Sequence, residues 1–293
     1  MFRFNFVGGD EGDNAGDAMP ASAVPQQEEE ATGCLRRSEE LAAPGPPQPL
    51  VNQARKGMAF ADFGVSDACS VRKAANPVVD AAAPAASSES DLIPGRYEGG
   101  YKVWECSIDL SRYIAKYADV SATFRPDAMV IELGCGQGLV GVVALALGAG
   151  EVHFQDYDKD VIWNLTIPVV EENIQVIGAT PGRKARFFAG DWGTLHADVL
   201  GPQGLVNAYD VVLTTETIYN EEASKRLLSC IKSCLKPEGV CYLSAKSFYF
   251  GVGGGVAGFL SLLERDGTFQ HRRLQVIDDG RSNRREILEI CRR

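Results

Sequence analysis

The chain has three histidines, no CxxC pair among its eight cysteines, and no apolar run approaching the roughly 18 residues of a membrane span. Each absence excludes something. Cys230 and Cys234 stand four apart with no histidine cluster beside them, which argues against a zinc ligand set, and no metal site is expected. Scattered cysteines read as reduced thiols of an intracellular protein. The longest apolar stretch, "GLVGVVALALGAG", is short and glycine-rich, and reads as a buried helix. A basic n-region followed by an apolar h-region is missing, so no secretory signal is expected. Basic charge is scarce as well. There are 29 Lys and Arg against 39 Asp and Glu, a formal net charge of −10, where a general nucleic-acid binder would show a basic footprint. Nothing repeats at a fixed period.

What is present is a chain of 293 residues, 45% hydrophobic, enough for one or two domains with a sizeable core. Composition changes near residue 90. Residues 1–90 carry eight of the fourteen prolines and the tracts "APGPPQP" and "AAAPAASSES". Such a segment buries too little apolar surface to offset its conformational entropy, so it is expected to be a largely disordered tail. Within it, "MFRFNFVGG" and "KGMAFADFGV" are the stretches that suit a short docked strand.

Residues 91–293 are regular. "VWECSIDLSRYIAKYAD" has apolar residues at helical spacing. "AMVIELG" is a short continuous apolar run, as a buried parallel strand should be, and "GLVGVVALALG" follows as a helix. "EVHFQDYD", "KARFFAGDW", "AYDVVLTTETIY" and "VCYLSAK" continue the strands. "KDVIWNLTIPVVEENI" is a helix that Pro168 should kink, and "EEASKRLLSCIKSCL" is amphipathic. "HRRLQVID" and "RREILEIC" close the chain as two strands around the turn "DGRSN". Alternating strands and helices imply an α/β fold, a parallel doubly wound sheet, with an antiparallel strand from the closing hairpin.

Ligands of such sheets bind outside the carboxyl ends of the strands. In "VIELGCGQG", Glu132 closes a strand and Gly134, Gly136 and Gly138 follow at every second position. A dinucleotide site wants GxGxxG, whose third glycine would fall on Leu139. The GxGxG spacing with a preceding acid suits S-adenosylmethionine better, since that ligand has no pyrophosphate to clamp. Asp156, in "FQDYD", stands 24 residues beyond Glu132, where an acid takes ribose hydroxyls, and Tyr157 offers a flat ring to adenine. In "AGDW", Gly190 permits close approach, Asp191 can accept from the adenine amino group, and Trp192 offers a stacking wall. In "TTETIYN", Glu216 and Tyr219 stand where donor meets acceptor. The run "KSFYFGVGGGVAGF" follows the fifth strand. It lacks the GxxxxGK[ST] pattern of a phosphate loop. Gly253, Gly254 and Gly255 there are expected to admit a polypeptide backbone, with Phe248, Tyr249 and Phe250 as walls for an inserted ring.

Together these stretches resemble the seven-strand S-adenosylmethionine-dependent methyltransferases, and within them the eukaryotic protein-histidine N-methyltransferase family. The motifs that carry the resemblance are "YEGGYKVWECS", "LGCGQG", "FQDY", "TETIYN" and "FGVGGGV", spread over residues 91–293. The resemblance implies a Rossmann-like, seven-stranded methyltransferase fold with an antiparallel terminal strand. It adds Val103, Trp104, Glu105, Cys106, Ser107, Gln155 and Thr215 to the cofactor contacts. It implies S-adenosyl-L-methionine as cofactor and a histidine of a ribosomal large-subunit protein, protein L-three, as substrate, methylated on the tele nitrogen. Chaperone contacts, a monomer, no membrane and a place in both cytoplasm and nucleus complete that expectation.

Imidazole is mostly neutral near pH 7, so methyl transfer to it needs alignment more than a strong base. Glu216 is the candidate to accept an imidazole N–H, with Tyr219 or Asn220 fixing the ring plane. Two other readings stay open: a lysine methyltransferase of the same architecture, which must lower an amine pKa, and a non-catalytic adaptor that keeps the cofactor fold.

Overall fold

The structure, a computed structural model, describes residues 36–41, 58–67, 69–75, 98–177, 184–251, 253–280 and 282–293. Among the described residues the central sheet has eight strands. In chain order they are β1 (Glu39–Leu41), β4 (Met129–Leu133), β5 (Glu151–Asp156), β6 (Lys184–Ala189), β7 (Tyr209–Thr215), β8 (Leu235–Lys246), β9 (Phe269–Ile277) and β10 (Arg285–Arg292). Their spatial order is β1-β6-β5-β4-β7-β8-β10-β9. The five strands from β6 to β8 are mutually parallel. β10 runs antiparallel between β8 and β9, and β1 runs antiparallel along the other edge. The expected parallel sheet with its antiparallel terminal strand is therefore present. The chain order reverses at β4, so its carboxyl end opens the crevice where such sheets bind ligands.

The central strands read as near-continuous apolar runs because helices cover both faces. On one face lie α1 (Glu105–Lys116), α3 (Leu139–Leu147) and α5 (Ile167–Ile177). α1 buries Cys106, Leu110, Tyr113 and Ile114, one stripe at helical spacing. α3 is buried nearly all round, as its run of Leu, Val and Ala requires. The other face carries α6 (Trp192–Leu195), α7 (Glu221–Cys234) and α8 (Val256–Asp266). The short helices α2 (Ala118–Ser121) and α4 (Lys159–Val161) complete the set. Between α4 and α5 the chain makes one wide π turn, Ile162–Thr166. Pro168 is the second residue of α5 and follows directly on that π turn, and the chain stays helical across it.

Among the described residues, three strands precede the boundary expected at residue 90. β1 extends the main sheet, and "KGMAFADFGV" does form a strand, β2 (Phe60–Ser66), paired with β3 (Cys69–Ala74). Phe63, Val65 and Val71 of this hairpin are buried in the core shared with α1 and α3. Asn173 of α5 holds it through both backbone groups of Arg72, each at 2.7 Å. The described residues form one compact unit. "MFRFNFVGG" lies outside the described residues.

Candidate active site

A cleft opens at the carboxyl ends of β4, β5, β6 and β7. Its floor is the turn after β4. Gly134 has φ +68°, and a Cβ there would lie 2.7 Å from Thr217 Cγ2, so only glycine fits. Gly136, Asp156, Tyr157, Gly190, Trp192, Thr215, Glu216 and Tyr219 also line the cleft, as do Val103, Trp104 and Ser107 from the entrance to α1. Segments far apart in sequence are thus brought to one place, as the motif reading expects.

Asp156 anchors the floor. Its carboxylate accepts the backbone N–H of Gly136 at 2.8 Å and of Asp158 at 3.1 Å. Burial raises its pKa to about 6, against the pull of those two N–H donors. A carboxylate has acceptor capacity for about four hydrogen bonds, so Asp156 can still receive hydroxyls from the cleft. Asp158 caps α4 by accepting from the Asp160 N–H, which leaves Asp156 for the cleft.

Six of the expected residues, Glu132, Gln155, Asp191, Asn220, Glu105 and Cys106, do not line the cleft. Glu132 turns away from the cleft and accepts the Gly141 N–H at 2.8 Å, inside the first turn of α3. A buried acid there is held by the helix N-terminus, and burial pushes its pKa up to about 8. Gln155 is a brace beneath the cleft. Its Nε2 donates to the Gly190 carbonyl at 2.8 Å, and its Oε1 accepts from Trp192 Nε1 at 2.7 Å. Asp191 caps α6 through the Gly193 N–H at 2.7 Å and lies 3.4 Å from Arg226 Nε. Asn220 caps α7 by accepting the Ala223 N–H at 2.7 Å, which removes it from the acceptor pocket. Asn and Asp are favoured helix caps, and the local geometry takes both. Glu105 and Cys106 also stand back from the cleft. Glu105 pairs with Lys246 at 3.4 Å, and Cys106 is fully buried, its thiol pushed up by burial and then by Glu216.

Glu216 has φ +59°, a strained value for a non-glycine residue at a functional position. Its Oε2 accepts from the Tyr249 hydroxyl at 2.6 Å. Its Oε1 is buried without a hydrogen-bond partner, with Lys246 Nζ 3.6 Å away. Tyr219 donates its hydroxyl to Glu98. Glu98, Lys102, Thr217 and Arg226 line the cleft too and were not singled out from the sequence. Glu98 sits inside the "YEGG" motif, which was the available signal.

The glycine-rich run after β8 stands beside this corner. A Cβ on Gly254 would lie 2.1 Å from the Tyr219 carbonyl carbon. The backbone that Gly254 admits is therefore the chain's own Ile218–Tyr219 segment, while Gly255 admits Ser247–Phe248 and Gly253 has nothing within 4 Å; the Gly255 N–H donates to the Ile218 carbonyl at 2.9 Å. Phe248 and Phe250 meet edge to face at 4.6 Å and are exposed, Phe250 by 71%.

Such a sheet, with a glycine-rich turn and a ring-lined cleft at its switch point, has the form of a Rossmann-like methyltransferase domain. The chain belongs to the family described as lysine methyltransferase, whose model matches residues 95–261. It is 42% identical over 212 residues to a rat protein named histidine protein methyltransferase 1 homolog, covering 66% of this chain and 57% of that one. A Dictyostelium discoideum protein of the same name is 41% identical over 204 residues, covering 69% of this chain and 60% of that one. The chain thus spans 57% and 60% of these relatives' lengths. Among solved structures, magnesium protoporphyrin IX methyltransferase of Synechocystis, with S-adenosylmethionine bound, is 16% identical with a TM-score of 0.44, covering 65% of this chain and 86% of that one.

Proposed function

We propose that this chain is a protein-histidine N-methyltransferase that uses S-adenosylmethionine. The observation that carries the reading is its kinship with relatives named for histidine methylation, over a span as long as the domain that forms the cleft. The donor set fits the cofactor. Gly134 and Gly136 leave two positions of the floor without side chains, Asp156 has acceptor capacity for ribose hydroxyls, and Tyr157 and Trp192 supply flat walls. When bound, S-adenosylmethionine supplies an electrophilic methyl on a sulfonium sulfur.

The chain's own task is alignment. Glu216 lines the cleft, and its Oε1 is a buried acceptor without a hydrogen bond, 3.6 Å from Lys246 Nζ. Accepting an N–H from an incoming imidazole fixes the tautomer and aims the other nitrogen's lone pair into the cleft. The same carboxylate stabilises the imidazolium that forms. Imidazole is largely neutral near pH 7 and reacts without a base, whereas an amine must first be deprotonated. By the family resemblance, the acceptor is a histidine of ribosomal large-subunit protein L-three, modified on the tele nitrogen, and the enzyme works in cytoplasm and nucleus.

The test is incubation with labelled donor and ribosomal protein, followed by amino-acid analysis. Labelled tele-methylhistidine is expected. Label in methyllysine alone overturns the histidine assignment. Failure to bind S-adenosylhomocysteine in a calorimetric titration leaves the adaptor reading standing.

A further inference from the structure

We propose that the segment just ahead of and within β1, Arg36–Leu41, is a working part of the donor site. Arg36 positions the Tyr157 ring at the nucleoside end of the cleft, and Ser38 holds the Gly190–Trp192 turn beside it. The proposal rests on the reading above that the cleft takes S-adenosylmethionine. The segment lies outside the span that defines the family, residues 95–261, so nothing in that kinship assigns it a role.

The geometry separates the segment into two parts. Glu39–Leu41 pairs with Phe187–Ala189, which suffices to close the edge of the sheet. Residues 36–38 add nothing to that ladder, yet they reach the two turns that form one end of the cleft. The Arg36 guanidinium lies 4.6 Å over the Tyr157 ring, and its Nη1 donates to the Tyr157 carbonyl at 3.2 Å. The Arg36 carbonyl accepts the Asp191 N–H at 3.2 Å and the Thr194 hydroxyl at 3.0 Å. Ser38 Oγ donates to the Asp191 carbonyl at 3.0 Å, and the Ser38 N–H donates to Asp198 at 3.0 Å. The contact is close enough to dictate a residue type. A Cβ on Gly190 would lie 2.4 Å from Ser38 Cα, so Gly190 is glycine here because this segment presses on it.

Tyr157 and Gly190 both line the cleft, and Tyr157 adjoins Asp156, the acid at the ribose position. Arg36 itself is not part of the lining. It acts through Tyr157: stacked on one face of the ring and bonded to its backbone, it fixes the ring that faces the nucleoside. Arg36 is thus a positioning residue for the donor and carries no contact with the acceptor.

The test uses the full chain and two probes, S-adenosylhomocysteine and 5′-methylthioadenosine, which share the nucleoside and differ in the amino-acid part. Arg36→Ala is expected to weaken both probes by a similar factor, about fivefold, the scale of a partly exposed cation–π contact, with an unchanged melting temperature. Arg36→Lys, which keeps the cation, retains most of the affinity. In a Tyr157→Leu background, Arg36→Ala costs nothing further, the signature of action through the ring. In turnover, the KM for the donor rises and that for the protein substrate does not. Wild-type affinity in Arg36→Ala overturns the proposal. So does a loss confined to S-adenosylhomocysteine, or one that persists in the Tyr157→Leu background. A wild-type chain that binds neither probe overturns the methyltransferase reading and this proposal with it.

Discussion

The Tyr249 hydroxyl donates to Glu216 Oε2 at 2.6 Å, joining the glycine-rich loop to the strained residue that follows β7. One carboxylate oxygen is thereby committed to the Tyr249 hydroxyl, and the other lies buried without a hydrogen bond, 3.6 Å from Lys246 Nζ. Burial and then the Glu216 charge push the Tyr249 phenol well above its usual range, so it stays a donor at all working pH values. Glu216→Gln replaces an acceptor-only group with one that can turn a donor to the imidazole. It is expected to lower the single-turnover rate by about a hundredfold or more, the usual weight of a group that manages a proton in the transition state. Tyr249→Phe removes one hydrogen bond, and a loss of about tenfold is expected. S-adenosylhomocysteine affinity, measured alongside, should stay near wild type in both. Unchanged single-turnover rates would remove both residues from the chemistry.

The exposed pair Phe248 and Phe250 divides stability from recognition. Phe250 is 71% exposed and contributes little to the core. Phe250→Ala should leave unfolding within about 0.5 kcal/mol of wild type. Its effect should fall on the protein substrate, with KM raised about fivefold or more if the ring anchors the acceptor chain. Donor affinity should not move. A changed donor affinity with unchanged substrate KM would take the loop off the acceptor side.

Neighbouring glycines in and after that loop make opposite demands. Gly254 meets the Tyr219 backbone, which cannot yield as a flexible side chain can. Gly254→Ala is expected to cost about 1–3 kcal/mol through overpacking, a drop of several degrees in melting temperature for a chain of this size. Gly258 lies inside α8 with nothing within 4 Å of a new Cβ. Gly258→Ala should stabilise by about 0.5–1 kcal/mol through helix propensity. Melting curves of the two variants with opposite signs would bear out the loop geometry. A tolerated Gly254→Ala would refute it.

Much of this architecture was legible in the sequence, and the exceptions have a common cause. Strand–helix alternation and the glycine turn are local signals, and they placed the cleft at the ends of β4 to β7. The roles of individual polar residues were less legible, because a side chain beside a turn can face the ligand or the backbone. Glu132 faces a helix N-terminus, and Asp191 and Asn220 cap helices, each within a few residues of its motif position. Gln155 braces Trp192, a partner 37 residues away, and no spacing rule announces that. β1 and β3 were hidden by proline-rich surroundings, although β2 was readable in "KGMAFADFGV". Their anchors, Ala189 for Glu39 and Asn173 for Arg72, lie more than a hundred residues on.

Glu132 also makes the fold pH-dependent, with a definite sign. Burial lifts its pKa from the usual carboxylate range to about 8, so the folded chain holds a proton that the unfolded chain releases. Stability then falls as pH rises from about 4.5 to about 8, by up to about 1.4 kcal/mol per pH unit for one proton. Asp156, raised to about 6, acts in the same direction over the lower part of that range. His153 opposes it. Burial lowers its pKa, so it costs stability only below the ordinary histidine value of about 6.5. The window from about pH 6.5 to 8 therefore isolates Glu132. Denaturant unfolding across it should show stability declining with pH in wild type, and a flat profile in Glu132→Gln, which keeps an acceptor for the Gly141 N–H without the titration. A wild-type profile that is itself flat between those values would mean that Glu132 is ionised in the fold, and that the α3 N-terminus outweighs its burial.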